Sequence, residues 1–335
     1  MKITHIHIER FRGFQNEDFE VGSLLTAIAG QNGTQKSTLL GIITQTFTLK
    51  TEDSMRVEKP LCGGSYISAF KDKFRLSPTF DKPKGHEWTI SFDAGMDDFT
   101  VESIKRTGDP NVRFWKKGAR QEGDGYISFP TIFLSLKRLV PVAEEAKIIT
   151  DDTLLTQEEL NEFKQLHNKI LIAQTPISSA TTITSKNKQS IGVSTELYDW
   201  NQNSMGQDNL GKIILALFSF KRLHDKYPRQ YKGGILAIDE MDATMYPASQ
   251  VELLKVLRKY ASKLNLQILF TTHSMSLLKA MDDLVQEVTK KEETANQAKI
   301  LYLKKVDDKI AIKQGVNFKG IQLDLNVVAE GNNRK

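Results

Sequence analysis

Two hydrophobic rhythms alternate along the chain. Residues 3–9 and 24–29 carry apolar side chains at alternate positions or in short unbroken runs, which predicts strands. Phe11-Arg12-Gly13-Phe14 predicts a bend between them. Ala27-Ile28-Ala29 runs directly into a glycine-rich stretch at 30–38, and from Thr38 to Phe47 the apolar spacing becomes helical. Strand, loop and helix therefore follow without a break.

Residues 50–86, with Pro60, Gly63, Gly64, Pro78, Pro83 and Gly85, read as irregular. Alternating segments follow at 87–93, 99–106, 111–116 and 126–136, separated by Gly108-Asp109-Pro110 and Gly123-Asp124-Gly125. They predict an antiparallel β lobe. Residues 141–175 have helical spacing, and Thr156 with Glu159 three residues later makes a capping-box start. Residues 176–192 are rich in Ser, Thr, Asn and Lys and predict a mobile loop. A helix at 208–224, a buried strand at 234–239, a helix at 247–262, a strand at 266–272 and a helix from 274 come next, then a hairpin at 300–306 and 309–313 turning at Asp307-Asp308. The pattern shows no internal repeat and no sustained heptads. The expected fold is α/β: a core from 1–50 and 195–335 with a mostly parallel sheet, an antiparallel lobe at 51–140 and a helical lobe at 141–194.

Composition narrows the setting. In 335 residues, 39% are hydrophobic, enough for a substantial core. No apolar run approaches the roughly 18–20 residues of a membrane helix, and the alternating start lacks a signal peptide's apolar stretch, so a cytoplasmic protein is expected. Cys62 is the single cysteine, which excludes an internal disulfide and a cysteine zinc cluster. The net charge of +5 permits nucleic-acid contact without requiring it. Lys105, Arg106, Arg113, Lys116, Lys117 and Arg120 concentrate positive charge in one segment, read either as a solvated hairpin edge or as a phosphate-backbone contact.

The glycine-rich stretch, Gly30-Gln-Asn32-Gly33-Thr34-Gln35-Lys36-Ser37-Thr38, has the parts of a phosphate loop. Gly30 and Gly33 let successive N–H groups turn inward, Lys36 reaches the β- and γ-phosphates, and Ser37 offers a hydroxyl to magnesium. Gln35 stands where a glycine precedes the lysine in the usual pattern. A side chain there costs about 1 kcal/mol if φ is positive, and it either crowds the phosphates or adds a donor to them. Ile235-Leu-Ala-Ile-Asp239-Glu240 is an apolar strand ending in two acids, with Asp239 suited to magnesium and Glu240 to polarising an attacking water. His273 ends the next strand, 34 residues after Asp239, and can hydrogen-bond a γ-phosphate. His5 and His7 share one face of a strand, but no cysteine partner is near them in sequence and a metal is not expected there.

Asn203-Ser204-Met205-Gly206-Gln207, 35 residues before Asp239 counted from Ser204, resembles the signature motif of ABC-type ATPases. The phosphate loop (Walker A), the signature, the acidic strand end at Asp239-Glu240 (Walker B) and the histidine occur in the order of that family. The opening Ile8-Glu9-Arg10-Phe11-Arg12-Gly13-Phe14 is similar to the SMC, RecF and OLD side of it. The run from Asp239 through Asp242 and Ala243 to Pro247 resembles OLD-like and phage-defence ATPases, as does Phe133 to Pro141. The resemblance implies an ATP- and Mg2+-dependent ATPase that pairs with itself. Ser204, Gly206 and Gln207 would serve the nucleotide of the other copy, Asp242 would lie in the D-loop at the interface, and Arg12 near the nucleotide. It further implies control of an effector nuclease, either a partner or a C-terminal domain beyond Lys335. DNA repair of the RecF/SMC kind and an ATP-locked scaffold are the alternatives. No membrane partner is expected.

Overall fold

Five parallel strands set the plan in a computed structural model that describes residues 1–67, 70–93, 95–105, 112–118, 124–139, 148–151, 154–185 and 189–331. Strands β1 (Ile3–Phe11), β2 (Phe14–Glu20) and β3 (Leu25–Gly30) lead into helix α1 (Lys36–Thr44) and the short β4 (Phe47–Thr48). A four-residue helix α2 (Phe70–Lys73) precedes β5 (Glu87–Phe92), β6 (Phe99–Lys105), β7 (Val112–Lys116), β8 (Ile127–Ser128) and β9 (Thr131–Leu134). Then come β10 (Ile149–Asp151), α3 (Gln157–Leu171), β11 (Ser179–Thr184), β12 (Gln189–Ser194) and α4 (Met205–Lys226). Strand β13 (Gly234–Ile238), α5 (Pro247–Lys263), β14 (Leu266–Thr272), α6 (Met275–Val288), β15 (Ala298–Val306), β16 (Lys309–Lys313) and α7 (Phe318–Gly331) complete the order.

The central sheet runs β16-β15-β3-β14-β13-β9, parallel except for the hairpin partner β16. Parallel strands are covered on both faces, which explains why β3, β13 and β14 are almost wholly buried. Their side chains divide by the two-residue period. Leu25, Ala27, Leu236, Ile238, Ile268 and Phe270 join a core with α4, α5 and α6. Ile28, Ile235, Ala237 and Leu269 join a second core with Leu39, Ile42 and Ile43 of α1 and with Ile6, Ile8 and Trp88. Those last residues belong to a second, antiparallel sheet, β2-β1-β5-β6-β7, laid over α1. Helix α4 is buried at every position from Ile213 to Phe220, as expected for a helix apolar all round its middle.

Two segments differ from the hydrophobic reading. Residues 126–136, grouped by alternation with the antiparallel lobe, divide: β8 pairs with β4, and β9 runs parallel to β13 as the edge of the central sheet. Alternation reports a half-buried strand but not which sheet receives it. Where residues 176–192 are described they supply β11 and most of β12, two strands of a small antiparallel sheet, β10-β11-β12, in place of a loop. Thr181, Thr182 and Thr184 are polar by composition yet β-branched, with Ala180 and Thr182 buried on one face and Ile183 on the other. The Thr156–Glu159 capping box forms as expected at the start of α3. In the stretch 141–175 read as helical, residues 141–147 and 152–153 lie outside the described residues, and Ile149–Asp151 form the strand β10 instead. Among the described residues no helix is long and apolar enough to cross a membrane.

Inside α3, His167 is buried against Phe163, and burial pushes its pKa down from 6.5 to about 4. His86, buried beside Asp81 and Ser103, is also lowered by burial. A histidine that stays neutral in the fold protonates first in the unfolded chain, so its contribution is present above pH 6.5 and is lost as the pH falls. Each such group sets a slope of up to about 1.4 kcal/mol per pH unit. Between pH 7 and pH 5, the His167→Phe variant should lose about 2 kcal/mol less unfolding free energy than wild type in denaturant titrations. Equal losses would show that His167 does not carry this share.

Candidate active site

The loop between β3 and α1 folds over a cation. Lys36, 7% exposed, donates from Nζ to the carbonyls of Gly30 at 3.0 Å and Gln31 at 2.9 Å. Burial lowers its pKa, while the carboxylates of Glu240, Asp239 and Asp242 pull it back up. Thr34 braces the loop by donating from Oγ1 to Gln31 O at 2.8 Å, and Asn32 and Gly33 stay exposed at its tip. Gly33 has φ +79°, open to glycine without strain. The next residues start α1, whose first amide groups have no intrahelical acceptors and favour an anion.

Gln35 adopts φ 61°, ψ 32° as the residue before α1. This left-handed conformation is the one the sequence flagged as costing a side chain about 1 kcal/mol. Its side chain turns back toward the β1–β2 bend: a Cβ placed on Gly13 would meet Gln35 Nε2 at 2.9 Å and Ile310 Cγ1 at 2.7 Å. Gly13 is thus small because Gln35 and β16 press on it. Beside the bend, Arg12 forks onto Asp81, with Nε and Nη2 at 3.1 Å from its two oxygens, and reaches Thr38 Oγ1 at 3.3 Å. Asp81 is buried, which favours its neutral form, but Arg12, the Ser77 amide and His86 hold its pKa down at about 2.

Across the sheet edge, Asp239 directly follows β13. Its Oδ1 accepts from Ser37 Oγ at 2.9 Å and from Thr271 Oγ1 at 2.7 Å. Glu240 follows with φ +50°. That conformation costs about 1–2 kcal/mol outside glycine, and two hydrogen bonds hold the residue in it. Its N–H donates to Thr271 Oγ1 at 2.6 Å, and its carbonyl accepts from Arg138 Nη2 at 2.8 Å. Asp242 accepts from the His273 amide at 3.4 Å. His273 is exposed at the end of β14, its pKa lowered by partial burial and by the nearby Lys36 charge.

Ser204 caps α4 through a reciprocal capping box with Gln207, Gln207 N to Ser204 Oγ 3.4 Å and Ser204 N to Gln207 Oε1 2.8 Å. Gly206 lies so close to the loop after β13 that a Cβ would meet Thr244 O at 2.6 Å. Met205 and Tyr246 are about half exposed beside it. The capped end of α4 thus adjoins the loop that carries Asp242.

Three residues of this neighbourhood escaped the sequence reading. Thr271 is a polar residue inside a wholly buried strand, and Asn209 interrupts the apolar face of α4; each signal was visible. Arg138, buried to 2% exposure, was seen only as part of a familiar run. Conversely, Asp18 stands beside His5 and His7, at 3.1 and 3.0 Å, because β2 pairs it opposite His7. Among the described residues no three such groups are arranged to hold a metal ion. In the basic segment, Lys105 and Arg113 are exposed on β6 and the edge strand β7. Lys116 lies over the Phe99 ring, and Lys117 pairs with Glu87 at 2.5 Å. Arg106 and Arg120 lie outside the described residues.

A parallel sheet with a phosphate loop, a capped helix and an acidic strand end, in this order along the chain, defines a P-loop ATPase. Residues 1–190 and 135–278 match the model of the AAA ATPase domain family, and the chain belongs to that family; it is an ATPase. Solved structures agree in fold. The SMC head domain from Thermotoga maritima is 14% identical, with a TM-score of 0.50 over 94% of this chain and 100% of its own. An SMC head bound to the C-winged helix domain of ScpA is 14% identical, with a TM-score of 0.53 over 96% and 100%. An SMC head with an extended coiled coil, bound to the C-terminal domain of ScpA derived from Pyrococcus furiosus, is 13% identical, with a TM-score of 0.51 over 98% and 99%. No curated protein matches the chain.

Because its side chain faces the β1–β2 bend, Gln35→Gly should leave ATP affinity within about threefold of wild type, a change under about 0.7 kcal/mol. Equilibrium titration with a fluorescent ATP analogue checks this. A gain of tenfold or more would mean that Gln35 crowds the phosphates.

Proposed function

We propose that two copies of this chain close around two ATP molecules and that hydrolysis reopens them. The observation that carries the reading is the single rim formed by Lys36, Ser37, Asp239 and Glu240, with the exposed start of α4 against Thr244 in the loop that follows. A buried lysine with its ammonium on loop carbonyls is suited to exchange them for phosphate oxygens, with Gly30, Asn32, Gly33, Thr34 and Thr38 shaping the loop around them. Ser37 and Asp239, already within hydrogen-bond distance, form a donor set of hard oxygens that fits Mg2+. Magnesium, when bound, neutralises charge on the transferring phosphoryl group. Glu240 orients the attacking water and takes its proton, and His273 and Arg12 lie on the nucleotide side of the loop. Ser204, Gly206 and Gln207 of one copy serve the nucleotide of the other, across an interface that includes Asp242, Met205 and Tyr246.

The output of this cycle is the gating of a second protein, an effector nuclease of anti-phage defence in a cytoplasmic setting. The resemblance of the Asp239–Pro247 run supports that choice, and the ScpA domains carried by two similar SMC heads support a protein as receiver. A DNA-directed role of the RecF/SMC kind is favoured by the exposed Lys105 and Arg113. Its binding would weaken steeply with salt.

In solution, the mass of wild type should rise toward that of a dimer with ATP and Mg2+, and Glu240→Gln should make the dimer persist. Lys36→Ala should abolish pairing and lower ATP affinity by at least about tenfold, about 1.4 kcal/mol. A mass that ignores nucleotide in all three proteins would sink the composite-site reading. Full phage protection by Lys36→Ala would sink the defence role.

A further inference from the structure

Arg138 lies at the end of the 3-10 turn that follows β9, yet its guanidinium is buried where three elements meet. Nε donates to Asn209 Oδ1 at 2.7 Å. Nη1 donates to the carbonyls of Leu134 at 3.2 Å and Ser135 at 3.0 Å, anchoring the end of β9. Nη2 donates to the carbonyl of Glu240 at 2.8 Å. Asn209 itself is fully buried in the first turns of α4, and its Nδ2 donates to Ala243 O at 3.0 Å. A planar guanidinium can make these bonds in fixed directions at once, which a lysine cannot. The Arg138–Asn209 pair therefore joins the capped end of α4 to both sides of Asp242: Glu240 before it and Ala243 after it.

We infer that Arg138 and Asn209 are positioning residues that couple the α4 end to the backbone of Glu240. The inference rests on the reading that α4 of one copy meets the nucleotide of the other. A shift of α4 in its helical direction carries Asn209 with it, because Asn209 lies only five residues beyond Ser204. Asn209 is bonded to the guanidinium that holds the Glu240 carbonyl, and Glu240 is in a conformation that its hydrogen bonds maintain. Contact with the partner's nucleotide is thereby sensed at the glutamate of the same chain. The two composite sites of a dimer are then linked through protein, each chain reporting on the site it completes to the site it catalyses in.

The test uses the full chain, with ATP and Mg2+ as the probe, and reads solution mass, ATP affinity and steady-state turnover on the same preparations. Asn209→Leu keeps the volume and removes both amide bonds. It should pair with ATP, bind ATP within about threefold of wild type, and lose at least about tenfold in kcat, with the Hill coefficient falling toward one. Asn209→Asp keeps an acceptor for Arg138 and should recover most of that kcat, which a loss of packing alone would not allow. Arg138→Lys should resemble Asn209→Leu, and the double variant should be no slower than the slower single one. If Arg138→Lys fails to fold, the Asn209 pair still decides. The coupling is overturned if Asn209→Leu pairs and turns over within twofold of wild type, or if Asn209→Asp is as slow as Asn209→Leu. Failure of wild type to pair with ATP would instead overturn the composite-site reading, and the coupling with it.

Discussion

One carboxylate oxygen organises the catalytic edge. Asp239 Oδ1 accepts from a helix that begins 203 residues earlier in the chain, through Ser37, and from a neighbouring strand, through Thr271. A buried carboxylate is expensive unless its oxygens are hydrogen-bonded, so these donors are conditions of the fold as well as parts of the chemistry. They fix the phosphate loop relative to β13. Thr271 then does double duty by accepting from the Glu240 amide, so the same hydroxyl that satisfies one acid orients the next. Charge-assisted hydrogen bonds of this kind keep their geometry in a low-dielectric setting.

Around that contact the architecture is a sheet with two cores. One face supports α1 and the antiparallel sheet, and the other supports the helices α4, α5 and α6. Phosphate-binding groups come from the first side and the capped helix end from the second. Residues that bridge the two, Arg138 above all, gain importance from where the layers meet. A buried arginine, its pKa lowered to about 10 by burial and partly restored by Asp239, Glu240 and Asp242, is costly to keep there without acceptors. Its hydrogen bonds to four oxygens occupy four of its five N–H groups.

Much of this was legible in the sequence. The α/β class, the loop from Gly30 to Thr38 and the strands ending at Asp239 and His273 follow from periodicity and local chemistry, which act over a few residues. What escaped depends on contacts between distant segments. Whether β9 joins the antiparallel or the parallel sheet is settled by its pairing with β13, about 100 residues away. The hairpin β11–β12 was hidden because threonine counts as polar in composition but as a strand former in geometry. The direction of Gln35 was not knowable from the missing glycine, since it depends on Gly13 and Ile310. Arg138 looked like one basic residue among many because nothing local marks a charge for burial.

The neighbours of β3 have a consequence for synthesis. Its hydrogen-bonding partners are β14 and β15, roughly 240 and 270 residues further along, and the carbonyl of Gly13 in the β1–β2 bend accepts from the Ile310 amide. Everything from β3 through β15 must emerge from the ribosome before the strand that feeds the phosphate loop has both its neighbours. Such long-range pairing forms slowly, and until it does β3 presents two bare edges. A chain released only as far as β13 therefore carries the residues of the phosphate loop without either strand that flanks β3 in the sheet. The seat of the loop is completed by segments made long after the loop itself.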